Sequence, residues 1–524
     1  MRNIIFSILC MSAIFVQSNF VTDSSIVPKW LIALLIISVI VGYYSFKILF
    51  GSFVEFNFLL IGIGIATVCF LQALYGLLQY LNLLFSYSSC KIVGSFDNPA
   101  GFAACLCIGL PFVRFLISKY NNKYMLLGGW VVAFVIVIAV VLSCSRAGII
   151  SISVICIVLL FRKQDLKYIY KYLLLCSLVL LLIGCYWMKK DSADGRLLIW
   201  QCTINMVKDS PWIGHGLGSF EACYMDYQAE YFKICGQKNH YAMLADNVKH
   251  PFNEYMGVLL NFGIIGLLIL LLIISLLLYC YKRNPTIEKT VAIYALTSVG
   301  TLSLFSYPFT YPFTWIVTFL SILIIIREYV KEFLIVSWKK NIVCVLLFGC
   351  SMVGIYKLVE RIQAELEWGR ISKQAFSSSY NEVLPVYEKL EKIFEDNPYF
   401  LYNYAAVLLE KKQYNKSLEI ALQCRKYWAD YDLELVIGEN YQQLNKPKLA
   451  EKYYNSASMM CPSRFLPLYK LFHLYKTNGE KERSLAMAEA VINKPMKINT
   501  VTIRMIKSEM EREIQKMNMS INVE

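Results

Sequence analysis

The chain alternates between long apolar runs and short polar connections from its start to about residue 357, and beyond that point it becomes polar with helical periodicity. Apolar runs of about 16 to 25 residues are long enough to cross a lipid bilayer as helices. This pattern predicts eleven membrane spans, at residues 3–18, 28–45, 57–85, 100–118, 124–143, 147–161, 171–188, 255–280, 288–306, 311–327 and 340–357. We therefore expect an all-α protein, with a polytopic membrane domain over residues 1–357 and a second helical domain over residues 358–524.

The second domain contains a repeat motif at residues 431–464. Small, aromatic and proline residues recur there at the spacing of a tetratricopeptide repeat, a helix pair of about 34 residues. These residues are Gly438, Tyr441, Ala450, Tyr454, Ala457 and Pro462. Weaker matches on both sides predict an α-solenoid of three to four units, with a degenerate helix pair between residues 360 and 397. Such a solenoid offers a concave face to a protein or peptide partner; the alternative is a structural cap on the membrane domain.

Composition supports this division. With 57% hydrophobic and 17% charged residues, the chain is too apolar for a soluble protein of its length. Its formal net charge is +14, but residues 358–524 hold 24 Lys/Arg against 22 Asp/Glu, so the positive excess lies in the membrane part. That distribution is typical of membrane topology signals and argues against a nucleic-acid partner. The 17 cysteines form no CxxC pair and no zinc-type cluster with histidine, so we interpret most as small buried hydrophobes.

The basic residues also predict which side of the membrane each loop occupies. Lys/Arg groups near residues 47, 114–123, 162–171, 282–289 and 327–340 all fall on one side when the predicted spans alternate, and the positive-inside rule makes that side cytoplasmic. The opposite, outer side then receives residues 91–104, residues 143–148, the long loop 189–254 and everything after residue 357.

Two arginines on this outer side stand out. Arg146 lies at the mouth of a predicted membrane helix, and Arg196 opens an amphipathic segment. The apolar residues that share one helical face of that segment are Leu197, Trp200, Ile204 and Val207. An arginine at a membrane boundary either anchors the helix to lipid headgroups or binds an anionic partner. Two guanidinium groups facing one cavity would suit a diphosphate, because each binds phosphate oxygens in a bidentate way.

His250 is one of only four histidines, and it precedes the predicted span at 255–280. Its imidazole can accept a proton near neutral pH, as a base must when a hydroxyl attacks a sugar carbon. Arginine and histidine on this side therefore fit glycosyl transfer from a lipid diphosphate. The alternative for His250 is a structural loop histidine, and we expect His215 and His240 to be mainly structural.

The stretch GSFDNPAGFAA at residues 94–104 directly precedes and enters an apolar helix. Asp97 or Asn98 is a natural cap for that helix, with Pro99 in its first turn. Capping alone is one explanation of the stretch. The alternative is a turn that also lines the active cavity.

Taken in order, five stretches resemble the O-antigen ligase and O-antigen polymerase-like family of bacterial membrane glycan transferases. They are GSFDNPAGFAA at 94–104, SRAG at 145–148, DGRLLIW at 194–200, SPWIGHGLGSF at 210–220 and HPFNEYMGVLLNFGIIGLL at 250–268. The resemblance covers roughly residues 55–330, and family members with C-terminal tetratricopeptide repeats are familiar.

The resemblance implies a polyprenyl-diphosphate-linked glycan donor, transferred outside the bacterial cytoplasmic membrane without a nucleotide, cofactor or required metal. It also implies that Arg146 and Arg196 contact the diphosphate and that a loop histidine acts as base. Here Phe252 stands where that histidine is expected and His250 is two residues early, so Glu254 is the next candidate base. The residues expected to line the cavity are Asp97, Asn98, His215 and Asn253.

Several functions remain open at this point. A ligase would transfer the glycan to a lipid or protein hydroxyl, whereas a polymerase would use another lipid-linked repeat unit, and the outer solenoid slightly favours a protein acceptor or partner. Metal-dependent oligosaccharyl or mannosyl transferases usually carry paired acidic residues in the first outer loop, but that loop, NFVTDSSIVPK, has one aspartate. A transporter or secretion scaffold would place ionisable residues near the middle of the bilayer, where the sequence has almost none.

Overall fold

The computed structural model describes residues 2–50, 57–84, 91–120, 122–162, 167–236, 240–334, 337–375 and 380–521. Over these residues the fold is all-helical, as predicted. The end of the predicted span at 57–85 and residues 376–379 of the predicted degenerate pair lie outside the described residues. The α-helices within the described ranges are α1 Arg2–Phe15, α2 Val27–Leu49, α3 Phe58–Tyr80, α4 Pro99–Lys119, α5 Lys123–Leu142, α6 Arg146–Phe161, α7 Tyr168–Met188, α8 Lys190–Asp209, α9 Ser219–Cys235, α10 Glu254–Arg283, α11 Ile287–Phe305, α12 Pro312–Leu334, α13 Ser337–Gln374, α14 Tyr380–Glu391, α15 Pro398–Glu410, α16 Tyr414–Arg425, α17 Tyr431–Gln443, α18 Pro447–Met460, α19 Leu466–Thr477, α20 Lys481–Asn493 and α21 Val501–Ile521.

Eight helices in the described part of the chain are long and apolar enough to cross a membrane: α2, α3, α4, α5, α7, α10, α12 and α13. They coincide with eight of the eleven predicted spans. The other three predictions fall on α1, α6 and α11, which are helices but do not meet the same combination of length and apolarity. Spans at those three positions stay predictions.

The contacts divide the chain into two units. The first unit comprises Met1–Met188, Phe252–Glu254 and Leu268–Arg370, and the second comprises Lys189–Pro251, Tyr255–Leu267 and Ile371–Glu524. The long loop 189–254 therefore groups largely with the C-terminal helices. The predicted boundary after residue 357 falls inside α13, and the division into two domains at that point stays a prediction.

Helix α4 is the centre of the first unit and packs against α3, α5, α6, α11 and α12. Small residues along α4 allow this close packing, as is typical of helices that associate in membranes. A Cβ atom at Gly109, for example, would lie 2.2 Å from the Cys69 sulfur of α3. By contrast, α7 and α10 leave most of their leucines and isoleucines exposed, as expected for helices that face lipid.

In the second unit, α8 packs on α9, and α9 packs on α18. The C-terminal helices pack in consecutive pairs, α15 with α16, α17 with α18 and α19 with α20. The clearest predicted repeat, at 431–464, coincides with the pair α17 and α18. A Cβ atom at Gly438 would lie 2.6 Å from the ring of Tyr454, so this glycine lets the two helices approach closely. The assignment to the tetratricopeptide class stays a prediction.

Candidate functional site

The loop before α4 ends in a hydrogen-bonded group that we call the Asp97 corner, formed by Asp97, Asn98, Tyr307 and Tyr311. Asn98 is the cap of α4, because its Oδ1 accepts from the Gly101 N–H at 2.9 Å. Its Nδ2 lies 2.8 Å from Asp97 Oδ2 and 3.0 and 2.8 Å from the two tyrosine hydroxyls. The Tyr311 hydroxyl donates to Asp97 Oδ1 at 2.7 Å. The corner therefore joins two distant parts of the chain.

The ring of Tyr311 is held by the same sequence motif. A Cβ atom at Gly101 would lie 2.4 Å from Tyr311 Cζ, so only glycine leaves room for the ring. Phe96 packs edge-on against it, with 5.0 Å between ring centroids. The Tyr311 hydroxyl is thereby placed to donate to Asp97 Oδ1.

The segment that carries these tyrosines also contacts the residues before α10. The Phe252 ring lies edge-on to the Tyr307 ring, with centroids 5.2 Å apart. Glu254 Oε1 accepts from the Phe309 N–H at 3.2 Å. Phe252 has a φ of 53°, in the left-handed region that a bulky residue rarely adopts. Such backbone strain persists only where surrounding contacts hold it, and it is common at functional sites.

Arg146 is the first residue of α6, at the end of a tight turn. Cys144 in that turn also has a left-handed φ, of 51°. Ser145 caps α6 by accepting from the Gly148 N–H at 3.4 Å. A Cβ atom at Gly148 would lie 2.7 Å from the Cβ of Ala103 on α4. The SRAG motif is thus packed directly against the GSFDNPAGFAA motif, and Arg146 is half-buried at this end of α6.

In the second unit, helix α8 links Arg196 to the loop that contains His250. Arg196 is half-buried and lies one helical turn before Trp200 on the same side of α8. The Trp200 indole N–H donates to the Pro251 carbonyl oxygen at 2.9 Å. Pro251 directly follows His250, so the arginine-bearing helix and the histidine-bearing loop are hydrogen-bonded to each other.

The predicted apolar face of α8 is not its buried face. The buried residues of α8 are Asp194, Leu198, Ile199, Cys202, Thr203 and Met206. Leu197 and Ile204, which belong to the predicted face, are 43% and 48% exposed. Both sides of α8 carry apolar residues, and packing against α9 determines which side is covered.

His215 and His240 both bond to other residues of the second unit. His215 Nε2 lies 2.7 Å from the Met206 carbonyl oxygen. Because a carbonyl only accepts, this nitrogen carries the hydrogen. His240 Nε2 lies 3.3 Å from Oδ2 of the buried Asp194.

The residues just before His250 are held by the C-terminal helices. Asp246 accepts a hydrogen bond from the Arg464 guanidinium at 2.7 Å. Asn247 Oδ1 accepts from the Tyr431 N–H at 3.2 Å, at the start of α17. Two consecutive residues of the loop are therefore fixed, three and four positions before His250.

Lys249, the residue next to His250, lies over two aromatic rings of the C-terminal helices. Its Nζ is 4.2 Å from the centroid of Tyr399 and 5.8 Å from that of Trp428, within the range of cation–π attraction. The Tyr399 hydroxyl also donates to Glu221 of α9 at 3.3 Å. Burial raises the pKa of Glu221, and the nearby Lys249 partly offsets this.

The predicted site residues are distributed over both units. Those in the first unit are Asp97, Asn98, Arg146, Asn253 and Glu254, and those in the second are Arg196, His215 and His250. Within the described ranges, no three His, Cys, Asp or Glu side chains lie together in a way that could hold a metal ion.

The region that contains most of these residues matches a known family. Residues 131–271 match the family model described as O-antigen ligase. The chain carries an O-antigen ligase domain. No curated protein matches the chain significantly.

The O-antigen ligase match includes Arg146, Arg196, His250 and Glu254, as well as all of α8 and α9. It begins inside α5, so the Asp97 corner and the C-terminal helices lie outside it. O-antigen ligases are glycosyltransferase-type enzymes. Together with its apolar helices, the domain identifies the chain as a multi-pass membrane protein.

Sequence reasoning did not single out three residues outside the matched range that make specific side-chain hydrogen bonds, namely Tyr307, Tyr311 and Lys29. Tyr307 and Tyr311 begin two YPF tripeptides, and this short repeat at the start of a membrane helix was an available signal. Lys29 is buried in the first turn of α2. Its Nζ donates to the carbonyl oxygens of Ser25 at 2.6 Å and Ser95 at 2.8 Å. A lysine directly after Pro28 at the start of an apolar helix was the signal in this case.

Proposed function

We propose that this protein is a membrane glycan ligase. It transfers a glycan from a polyprenyl diphosphate to an acceptor hydroxyl, on a lipid or a protein, at the outer face of the bacterial cytoplasmic membrane. The O-antigen ligase domain supports the reaction class. The hydrogen bond from Trp200 to Pro251 is the main support for the proposed active site, because it links the helix of Arg196 to the loop of His250.

The proposed reaction is a direct substitution at the anomeric carbon. The acceptor oxygen forms a bond to that carbon while the bond between the carbon and the diphosphate oxygen breaks. His250 accepts the hydroxyl proton, with Glu254 as the alternative base. Arg146 and Arg196 bind the diphosphate and stabilise its developing negative charge, and no metal or cofactor takes part in this scheme.

The choice between the two bases rests on their surroundings. His250 adjoins Pro251, whose carbonyl is bonded to α8, and it follows the anchored residues 246–249. Glu254 lies in the first turn of α10 and accepts the Phe309 N–H. Phe252, at the position where the resemblance leads us to expect a histidine, has no group that can accept a proton. We propose that Asp97, Asn98, His215 and Asn253 line the cavity that receives the donor glycan.

We further propose that the C-terminal helices form a tetratricopeptide-type solenoid that positions the loop containing His250. Their contacts with Asp246, Asn247 and Lys249 support this role. A protein acceptor or protein partner would bind to the remaining solenoid surface.

The test is the size distribution of lipid-linked and surface-attached glycans in cells that lack this protein. Long glycan that accumulates on the lipid carrier, with none on the acceptor, would support the ligase. Single repeat units on both would support the alternative, a repeat-unit polymerase of the same fold. Unchanged glycans in both pools would contradict glycan transfer and favour a transporter or secretion scaffold.

A further inference from the structure

Helix α10 is interrupted near its N-terminal end. Gly263 has a φ of 64° and a ψ of −163°, outside the helical region. A break in a membrane-spanning helix leaves backbone N–H and C=O groups without partners inside the helix. In lipid these groups are costly unless another segment supplies hydrogen bonds.

The loop at residues 211–218 supplies them. Four backbone hydrogen bonds join this loop to both sides of the break: Ile264 N–H to Pro211 O at 2.8 Å, Ile265 N–H to Trp212 O at 3.2 Å, His215 N–H to Leu260 O at 2.8 Å and Gly216 N–H to Asn261 O at 3.0 Å. The Ser219 hydroxyl adds a bond to the Asn261 side chain at 3.0 Å. The loop is therefore fastened along the helix.

Glycine on each side makes this close approach possible. A Cβ atom at Gly214 would lie 2.5 Å from the backbone carbon of Asn261. A Cβ atom at Gly263 would lie 2.2 Å from the backbone carbon of Trp212. Both glycines have positive φ, so a side chain at either position would clash and be strained.

The loop turns large apolar side chains outward. Trp212, Ile213 and Leu217 are 66%, 72% and 80% exposed. Phe262 and Ile265, on either side of the break, are 45% and 48% exposed. The loop itself, PWIGHGLG, contains no acidic residue, lysine or arginine. Several large exposed apolar side chains on two hydrogen-bonded segments mark an interaction site.

The length of α10 indicates the depth at which this apolar surface lies in the bilayer. The helix is uncharged from Tyr255 to Tyr281, and the part that follows the break, residues 264–281, ends at Lys282 and Arg283. At 1.5 Å per residue this stretch is about 27 Å long, close to the ~30 Å thickness of the hydrocarbon core. The bonds to Ile264 and Ile265 therefore hold Trp212 at the other end of the core, where tryptophan side chains are enriched in membrane proteins.

We propose that the loop 211–218 enters the membrane interface beside the break in α10 and binds lipid through Trp212, Ile213 and Leu217. The occupant of this apolar surface is the lipid of the surrounding leaflet, because the exposed Phe262 and Ile265 on either side of the break belong to a helix long and apolar enough to span the membrane. The second unit thus has its own contact with the membrane, made by the loop that also carries His215.

The test uses the full-length protein in lipid vesicles with the photoreactive residue p-benzoylphenylalanine in place of Leu217. The matched control carries it in place of Ile234, an apolar residue of the same unit that is 76% exposed. After irradiation we expect several-fold more lipid adduct at position 217 than at 234. Equal adducts at both positions, or cross-linked pairs of chains at 217 in place of lipid adducts, would overturn the proposal.

A second measurement avoids the unnatural residue. Vesicles whose lipid chains are brominated near the headgroup quench tryptophan fluorescence at the interface. We expect wild-type emission to be quenched more than that of Trp212→Phe, with the difference arising from Trp212. Equal quenching of the two proteins would place Trp212 in water and contradict lipid binding.

Discussion

The Trp200 indole N–H donates to the carbonyl oxygen of Pro251 at 2.9 Å, and this bond connects two parts of the proposed site that are about 50 residues apart. Arg196 lies one turn before Trp200, and His250 lies one residue before Pro251. We therefore propose that Trp200 is a positioning residue, because its indole N–H holds the loop backbone next to His250.

Replacing Trp200 with phenylalanine keeps an aromatic ring but removes the N–H donor. We expect transfer to slow about fivefold, the equivalent of one hydrogen bond of about 1 kcal/mol. Purified protein in vesicles, supplied with lipid-linked glycan and acceptor, would give the rate. Ile204→Ala on the exposed side of the same helix is the control. Equal transfer rates in the two variants would contradict a positioning role for Trp200.

Arg196→Ala should lower the transfer rate by about 100-fold or more, because a preorganised donor to the leaving diphosphate is lost. Arg196→Lys should retain part of the activity, since an ammonium keeps the charge but not the bidentate geometry. Lys208→Ala, in the last turn of α8, is the matched control for loss of a positive charge. Full activity in folded, inserted Arg196→Ala would refute the diphosphate clamp.

His250→Ala and Glu254→Gln separate the two candidate bases. Loss of the general base should slow transfer by about 100-fold or more, whereas loss of a neighbouring polar group should cost far less. We expect His250→Ala to be the more damaging change. If His250→Ala remains active and Glu254→Gln does not, the base is Glu254. Activity in both variants would contradict the proposed proton transfer.

Arg425 connects α16 to α9 and α17 through ion pairs with Asp226 and Glu434. The Glu434 side chain is only 2% exposed. Burial raises its pKa, and the guanidinium of Arg425 opposes this shift. Arg425→Ala would leave that carboxylate buried without its cation, and we expect a loss of about 3 kcal/mol in the free energy of unfolding.

Arg464→Ala provides the comparison, because the Arg464–Asp246 pair is about half exposed and should contribute at most about 1 kcal/mol. Urea unfolding of the full chain in detergent, followed by tryptophan fluorescence, would measure both losses. The double variant Arg425→Ala/Glu434→Gln should recover part of the stability. Equal losses in the free energy of unfolding for the two single variants would contradict the argument that the buried ion pair contributes more than the exposed one.

Ionisation of Asp430 makes the folding stability depend on pH, in a direction that its pKa determines. Its carboxylate caps α17, accepting from the Asp432 N–H at 2.7 Å and the Leu433 N–H at 3.3 Å. Burial raises the pKa of Asp430 from 3.8 to about 6. The folded state therefore binds the proton more tightly, and the associated stability is full below about pH 4 and is lost as the pH rises through about 6.

Asp430→Asn keeps an oxygen that can cap the helix but cannot ionise. Relative to wild type, the variant should gain up to about 3 kcal/mol of stability as the pH rises from about 4 to about 7. Unfolding temperatures measured across this range would report the gain. Asp430→Ala is the control for loss of the cap, and parallel pH curves for wild type and Asp430→Asn would contradict the assigned shift.

Local sequence signals predicted the membrane-length helices and the start of α4. The cap at Asn98 follows from a side chain three residues before the N–H it satisfies, and Pro99 fits the first turn for its own backbone geometry. The pair α17 and α18 was predicted because Gly438 and Tyr454 recur at the spacing of a known helix pair. The O-antigen ligase resemblance was confirmed by the match at residues 131–271.

Hydrophobic periodicity could not determine contacts between distant segments. The apolar stripe of α8 through Leu197 and Ile204 is as regular as the buried one, and only packing against α9 selects between them. Tyr311 and Asp97 are 214 positions apart in the sequence, so no local pattern predicts the hydrogen bond between them.

The sequence by itself thus determined the all-helical class and the positions of the eight membrane-length helices, because helix formation, capping and membrane partition depend on residues within a few turns of one another. It also carried the resemblance to O-antigen ligases that the match at residues 131–271 supports. Only the tertiary structure decided how the Asp97 corner closes, how loop 246–250 is held and where α10 breaks. The backbone groups near Gly263 need hydrogen bonds from a second segment, the loop 211–218. The position of that loop depends on the packing of the whole unit.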